Sequence, residues 1–340
     1  MFYSLPTETK LDIFKCLNYN QLCLAKQTNL YFRDFINNFD GELAREKLQS
    51  ISFVYIDQFK EYPQTLIKPK AKNFDFLLNE ELEKKFKNGL EKPITSYLPD
   101  QNLNKNVVIR LYSVQWSGLI FLRLPSIIKS KNVVKIVYYY LNKLFNCSFE
   151  SGKVNEFIFN PELIELLFGN AKRVYIKSCL LTITECNIEN ILQFILNNLA
   201  CEDLRNSFYL DKDIMEKYEE ILFKILINGR DNFETVDLDF DRTTRTLISF
   251  KNVTMLYEHI VEYIATSRDC SKMVSVIILR YHRPTNLQLT ERAEKVEIEQ
   301  GTDEKYTKYQ ISNIYNPKVR FSFIVREDED LWTSIDIRKV

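Results

Sequence analysis

Histidine and cysteine are the residue types to examine first for acid–base, nucleophilic or metal chemistry, and this chain has two histidines and seven cysteines. Cys270 and His282 flank one apolar run, Val274 to Leu279, and a thiol beside an imidazole is the pairing that activates a cysteine nucleophile. The opposite ends of a strand of roughly six residues are about 20 Å apart, too far for a hydrogen bond. His259 precedes Ile260 on a predicted helix and is expected to line the edge of its apolar face. The sequence therefore predicts no catalytic cysteine–histidine pair.

The spacing of cysteines and glycines excludes further classes of site. The cysteines are odd in number and scattered, without a C-x-x-C pair, so the pattern predicts reduced, mostly core-filling thiols and no zinc site or disulfide framework. The seven glycines are too far apart to form a phosphate-binding loop of the G-x-G-x-x-G or G-x-x-x-x-G-K-[ST] type. We therefore expect no metal, no cofactor and no enzymatic activity.

Three aspartates alternate with apolar residues along the predicted strand Thr235 to Phe240 and just beyond it. Asp237, Asp239 and Asp241 would share one face of that strand, since side chains alternate between the faces of a sheet. One interpretation is the solvent face of a half-buried strand. The other is a recognition surface for a basic segment of a protein partner.

Composition indicates an ordinary globular protein long enough for two domains, because 45% of its 340 residues are hydrophobic and 27% are charged. Basic and acidic residues balance at 46 each, so there is no global attraction to nucleic acid or to an anionic membrane. The start of the chain has no signal-peptide pattern, and no apolar run is long enough to span a bilayer. We expect a soluble protein of the cytoplasm or nucleus, with neither nucleic-acid nor membrane partners.

The first 46 residues predict three short helices. Pro6 suits a first helical position and Glu8 complements the positive end of the helix dipole. Asn20 is the predicted cap of the second helix, and Thr28 or Asn29 that of the third. Three helices this short bury too little apolar surface to be stable alone. We therefore expect them to dock on another structure.

This order of residues resembles the F-box family. The matching residues are Leu5, Pro6, Glu8, Leu11, Ile13, Phe14, Leu17, Leu22, the pair Tyr31 and Phe32, and Ile36. The chain departs from the family pattern at Thr9 and Lys10, where aliphatic residues are usual, at Gln27-Thr28, and in lacking a tryptophan in the third helix.

The resemblance implies a non-enzymatic function. An F-box docks on the Skp-type adaptor of a cullin-RING (SCF) ubiquitin ligase, and the rest of the chain would hold an unknown protein substrate. The adaptor-binding residues implied by the family are Leu5, Pro6, Leu11, Ile13, Phe14, Leu17 and Leu22, some of which must instead form the internal core. The alternative is an interaction scaffold without ubiquitin-ligase association, whose helical start packs within the chain.

Beyond the F-box-like segment, the pattern predicts a mixed α/β region over residues 47–290 and antiparallel strands over 291–340. The predicted helices lie near residues 74–90, 133–144, 161–169, 187–199, 214–226 and 253–264. The predicted strands lie near residues 51–56, 107–112, 119–124, 156–159, 173–178, 235–240 and 274–279, with four more in the last 45 residues or so.

The recurrence of strand and helix indicates an α+β or α/β fold, with two architectures left open. One is an irregular leucine-rich-repeat-like solenoid and the other is a generic mixed α/β domain. The separation from Val174 to Val236 is much larger than that from Val236 to Val276, which argues against a regular repeat. The four final strands would close the exposed end of the α/β region.

Overall fold

The computed structural model describes residues 2–39, 42–59, 65–70, 83–84, 93–98, 106–113, 118–169, 172–209, 214–240, 249–282, 289–302, 304–328 and 332–340. Within these residues the α-helices are α1 Thr7–Lys15, α2 Tyr19–Thr28, α3 Leu30–Asn38, α4 Lys131–Phe145, α5 Pro161–Phe168, α6 Ile188–Asn198, α7 Ile214–Asn228 and α8 Ser249–Thr266. Short 3-10 helices cover Phe2–Ser4 and Ile56–Phe59.

The strands are β1 Glu46–Tyr55, β2 Thr65–Ile67, β3 Ile94–Thr95, β4 Tyr97–Leu98, β5 Val107–Ser113, β6 Gly118–Leu122, β7 Ile127–Ile128, β8 Cys147–Val154, β9 Ile158–Phe159, β10 Val174–Thr184, β11 Leu199–Tyr209, β12 Phe233–Asp239, β13 Val276–His282, β14 Glu294–Gln300, β15 Glu304–Ser312, β16 Arg320–Asp328 and β17 Trp332–Lys339. Thirteen of them form one mixed sheet, and β3, β7, β4 and β9 form two small two-stranded sheets. The fold is therefore mixed α/β, as predicted.

Helices α2 and α3 are capped by side chains that accept hydrogen bonds from free backbone N–H groups. Pro6 stands just before α1, not at its predicted first helical position, and makes no side-chain capping hydrogen bond. Asn18, not the predicted Asn20, caps α2: its side chain accepts from the Gln21 N–H at 3.0 Å, and the Gln21 side chain accepts from the Asn18 N–H at 2.9 Å. This reciprocal capping box satisfies two N–H groups at once, which explains why the helix begins earlier than predicted. Asn29 caps α3 as predicted, accepting from the Phe32 N–H at 2.9 Å.

The middle of the large sheet is parallel and follows chain order. The neighbouring strands β1, β8, β10, β11, β12 and β13 are all parallel to one another. Helix α6 connects β10 to β11, α7 connects β11 to β12, and α8 connects β12 to β13. Helix α5, together with β9, lies between β8 and β10 in the chain. Each step along the sheet therefore adds one strand and one helix.

The helices cover one face of the parallel strands. In β10, for example, Cys179, Leu181 and Ile183 are buried and belong to the same core as residues of α4 to α8, whereas Leu180 and Thr182 on the opposite face are partly exposed. The helix-covered face thus carries the main hydrophobic core. The other face, here called the open face, carries mostly polar and charged side chains.

The last four strands form the antiparallel meander that the alternating pattern predicted. Strand β17 pairs with β13, so the meander continues the large sheet and extends it beyond the parallel strands. The meander also contacts α8: the Asn313 side-chain amide donates to the carbonyl of Ile264 at 2.7 Å and to that of Ser267 at 2.8 Å. These bonds satisfy carbonyl groups at the end of α8 that have no partner within the helix.

Two of the parallel strands, β8 and β11, were not predicted. Their outward-facing residues are polar or charged, including Glu150 in β8 and Arg205 in β11, and Leu199 was assigned to the end of the preceding helix although it begins β11. Because β11 lies between Val174 and Val236, the unequal strand spacing in the sequence came from this missed strand. The predicted helix at residues 74–90 lies outside the described residues except for 83–84.

None of the helices in the described ranges combines the length and the apolar character needed to cross a membrane.

Candidate functional site

The three N-terminal helices and the residues that flank them, from Phe2 to Leu43, are here called the helical unit and surround a small core of their own. This core consists of Leu11, Phe14, Leu22, Phe35, Ile36 and Leu43. Phe2 contacts it through edge-to-face packing on Phe14 and Phe32, with ring centroids 5.8 and 5.2 Å apart. The core is separate from the main core under the large sheet.

The predicted adaptor-binding residues fall into two groups. The side chains of Leu11, Phe14 and Leu22 are buried in the core of the helical unit, and the half-buried Leu17 packs against it. Pro6 and Ile13 are exposed, and Leu5 is half-buried. The structure therefore does not bring the seven residues together on one accessible surface.

The helical unit also exposes large apolar side chains that were not predicted as site residues. Leu24 and Leu30 retain 63% and 65% of their surface in solvent, and Tyr3 and Tyr31 are exposed as well. Leu24 lies only two residues after the buried Leu22, so it falls off the buried stripe of its helix; that spacing is the signal that could have identified it. Single exposed apolar residues are ordinary, but several in one small unit indicate an interaction surface.

Lys10, a departure from the F-box pattern, has a structural role in this chain. Its ammonium group donates to the backbone carbonyl of Tyr3 at 2.9 Å and lies 5.4 Å from the ring centroid of Tyr31. The Tyr3 and Tyr31 rings are themselves in edge-to-face contact at 4.8 Å. Lys10 thereby fixes the segment before α1 onto α3.

A groove of about 720 Å³ lies on the open face, where several of the parallel strands end. Its lining includes the hydroxyl-bearing residues Thr182, Thr184, Ser207 and Tyr209 and the charged residues Lys153, Glu156, Arg205, Asp239 and Arg280. Register places Lys153, Leu180 and Arg205 side by side on three adjacent strands. Grooves of this size on a rigid sheet are common ligand and peptide sites.

Asp237 forms part of the support beneath this groove. Its carboxylate Oδ2 lies 3.1 Å from Arg205 Nε and 2.9 Å from Arg280 Nη2, and its side chain is only 2% exposed. Burial raises the pKa of the Asp237 carboxyl, and the two arginines oppose that shift. The solvent-face interpretation is therefore wrong for Asp237, which faces outward but is covered. Asp239 is half-buried, and Asp241 lies outside the described residues.

The residues that could do chemistry are dispersed. His259 Nδ1 lies 2.8 Å from Glu219 Oε1 on the helical side, far in the fold from the groove on the open face. Burial raises the pKa of the Cys179 thiol to about 12, and the pKa of Cys147 also to about 12 with help from the charge of Glu46, so both remain thiols near neutral pH. No three histidine, cysteine or acidic residues are arranged to hold a metal ion anywhere in the described ranges.

The fold and the two surfaces define a mixed α/β protein with a small helical unit and an open sheet face. Residues 67–209 match the model of a domain of unknown function (DUF8381). The match runs from the end of β2 to the end of β11, and so includes the lining that β8, β10 and β11 contribute to the groove. It excludes the helical unit, whose likeness to an F-box rests on its own residues. Comparisons with curated proteins and with solved structures found no match.

Proposed function

We propose that this protein is a substrate-receptor subunit of an SCF-type cullin-RING ubiquitin ligase. The helical unit would dock on the Skp-type adaptor, and the α/β region would hold a protein target. The observation that supports this most directly is the concentration of exposed apolar side chains on three short helices with a small core. Such a unit gains stability by covering that surface with a partner.

The adaptor-binding set follows from burial. Pro6, Ile13, Leu24 and Leu30 are accessible and would contact the adaptor directly, together with the half-buried Leu5. Leu11, Phe14 and Leu22 would act indirectly, by holding α1, α2 and α3 in the arrangement that presents them. Burying one large aliphatic side chain contributes about 1.5–3 kcal/mol, so a few such anchors are enough to dominate the interface.

The α/β region would be an irregular, leucine-rich-repeat-like solenoid. Six parallel strands in chain order, with a helix in each connection from β8 onward, support this interpretation. In such a solenoid the sheet face without helices is the usual contact surface for a protein target, and here that face carries the groove at Arg205 and Arg280.

The receptor would perform no bond chemistry itself. It would hold a substrate lysine close to the charged conjugating enzyme, so that the transfer becomes effectively intramolecular. All seven cysteines are free thiols, which fits a protein of the cytoplasm or nucleus, where such ligases act.

The test is co-expression of the full chain with a Skp-type adaptor, followed by affinity purification. The wild-type chain should purify as a stable complex, and Leu5→Ala/Pro6→Ala should lose most of it. Val296→Ala/Ile298→Ala, which removes two exposed aliphatic side chains of β14 outside the helical unit, is the matched control and should retain the complex. A folded, monodisperse wild-type chain that captures no adaptor would overturn the proposal and favour an interaction scaffold.

A further inference from the structure

A cleft of about 560 Å³ separates the helical unit from the α/β region. The helical unit contributes residues such as Tyr19, Lys26 and Asn37 from α2 and α3, and the α/β region contributes residues of α4 and the first residues of β1 and β8. One polar contact crosses at its edge, where the Tyr19 hydroxyl donates to Glu46 Oε2 at 3.2 Å. The cleft is thus a junction whose two walls belong to different parts of the fold.

Positive charge is in excess on the walls of this cleft. Lys26, Lys143 and Lys172 line it, against the single carboxylate of Glu46. Lys172 donates to the Asn146 side chain at 2.7 Å, whereas neither Lys26 nor Lys143 forms an ion pair with a described residue. The Glu46 carboxylate accepts from Tyr19, and a single carboxylate can offset only one of the three lysine charges.

The remaining polar groups of the cleft suit an anion. The side-chain amides of Asn37 and Asn142 line it and can donate hydrogen bonds, while the thiols of Cys23 and Cys147 add small, neutral surfaces. Lysine ammonium groups bind phosphate oxygens as mobile point charges, and a volume of this size is typical of a small-ligand site. The charge and size of the cleft therefore match a small molecule with phosphate groups.

We propose that this cleft binds a phosphate-bearing small molecule, with Lys26 on the helical unit and Lys143 on α4 as its opposed cationic contacts. A ligand held between these two residues touches both parts of the fold and fixes the orientation of the helical unit relative to the open face. If the proposed function is correct, the same ligand sets the distance between adaptor and target. The binding step itself does not depend on an adaptor.

Binding is tested on the full chain alone by titration calorimetry with inorganic pyrophosphate at constant ionic strength. Wild type should bind saturably, and Lys26→Ala/Lys143→Ala should bind at least about tenfold more weakly, as the loss of two charge-assisted contacts requires. Lys129→Ala/Lys272→Ala removes two exposed lysines elsewhere and should bind within about twofold of wild type. No saturable binding by wild type, or equal weakening in both double variants, would overturn the site.

Two further measurements separate the parts of the proposal. Malonate is a small anion whose charge is carried by carboxylate groups and not by phosphate groups. Tighter binding of malonate than of pyrophosphate would overturn the assignment of the ligand to the phosphate class.

Hydrogen exchange should slow in α2 and in the last turns of α4 when pyrophosphate is added. Unchanged exchange in both helices despite binding would overturn the claim that the ligand contacts the helical unit and the α/β region at the same time. Because no adaptor is present, failure of either experiment is distinct from failure of the proposed ligase function.

Discussion

The helical unit and the α/β region use similar residue types in opposite ways. The α/β region places most of its buried aliphatic and aromatic side chains in one large core between the sheet and helices α4 to α8, with a small second cluster around Ile56, Val108 and Phe121. The helical unit buries six apolar side chains in its core and leaves others, such as Leu24 and Leu30, in solvent. A large hydrophobic core is enough to stabilise its own domain, whereas a unit with a small core also depends on contacts with the structure on which it docks. The difference indicates which part of the chain is built for a permanent fold and which for a partner.

The largest effect is expected from truncating the main core. Phe208 is fully buried on β11 and stacks on Phe240 with ring centroids 4.5 Å apart. Phe208→Ala should lower the free energy of unfolding by about 3–5 kcal/mol, since it leaves a cavity as well as losing buried surface. Chemical denaturation followed by circular dichroism measures this change. A loss below about 1 kcal/mol would mean that the core is far less tightly packed than described.

The matched truncation in the helical unit should have a local effect. Phe14 is buried among Phe2, Phe32 and Phe35, so Phe14→Ala should open α1 to α3 and remove their hydrogen-exchange protection. The denaturation midpoint of the α/β region should move little, because the two cores are separate. A fall in that midpoint as large as the one from Phe208→Ala would show that the two parts unfold as one.

Substitution of the exposed leucines of the helical unit should change adaptor binding without changing the free energy of unfolding. Leu24→Ala and Leu30→Ala should each weaken adaptor binding by about 1–2 kcal/mol, or roughly five- to thirtyfold, if they are anchors of the interface. Each should leave the free energy of unfolding within about 0.5 kcal/mol of wild type, since neither side chain is buried. Surface plasmon resonance with immobilised adaptor measures the first quantity and chemical denaturation the second. Unchanged binding by both variants would place the adaptor contact elsewhere on the unit.

The smallest effect concerns cysteine reactivity. Cys16 in the helical unit and Cys186 at a turn are exposed and should react with a thiol reagent within minutes near neutral pH. Cys179 is buried, and burial together with the charge of Asp203 raises the pKa of its thiol to about 12, so it stays protonated and unreactive until the chain unfolds. Mass spectrometry of the labelled protein identifies the modified residues. Rapid labelling of Cys179 in the native protein would contradict the burial of the sheet core.

Among the described residues, the residue pattern predicted the helices and the C-terminal meander well because their apolar periodicity is strong. The helix near residues 133–144 is present as α4 despite its valines and tyrosines, since its apolar face packs on the sheet and packing outweighs propensity. Strands β8 and β11 were missed because runs of polar residues interrupt their alternation, Glu150-Ser151 in β8 and Arg205-Asn206-Ser207 in β11. Gly152 adds to this in β8, where a side chain would meet Ile176.

The candidate surfaces were less predictable than the elements that carry them. Apolar periodicity cannot tell a residue that faces an internal core from one that faces a partner, so Leu11 and Ile13 were placed in the same adaptor-binding set. The burial of Asp237 depends on Arg205 and Arg280, which come from two other strands. Contacts of that kind follow from sheet register, which a strand pattern alone does not provide.

The central claim is that the helical unit, and not the α/β region, docks on a Skp-type adaptor. Hydrogen exchange of the full chain, measured with and without saturating adaptor, tests this directly. The account predicts slower exchange within residues 2–39 and little change in the strands of the large sheet. Unchanged exchange in residues 2–39 in the presence of a bound adaptor, or protection confined to the α/β region, would contradict it.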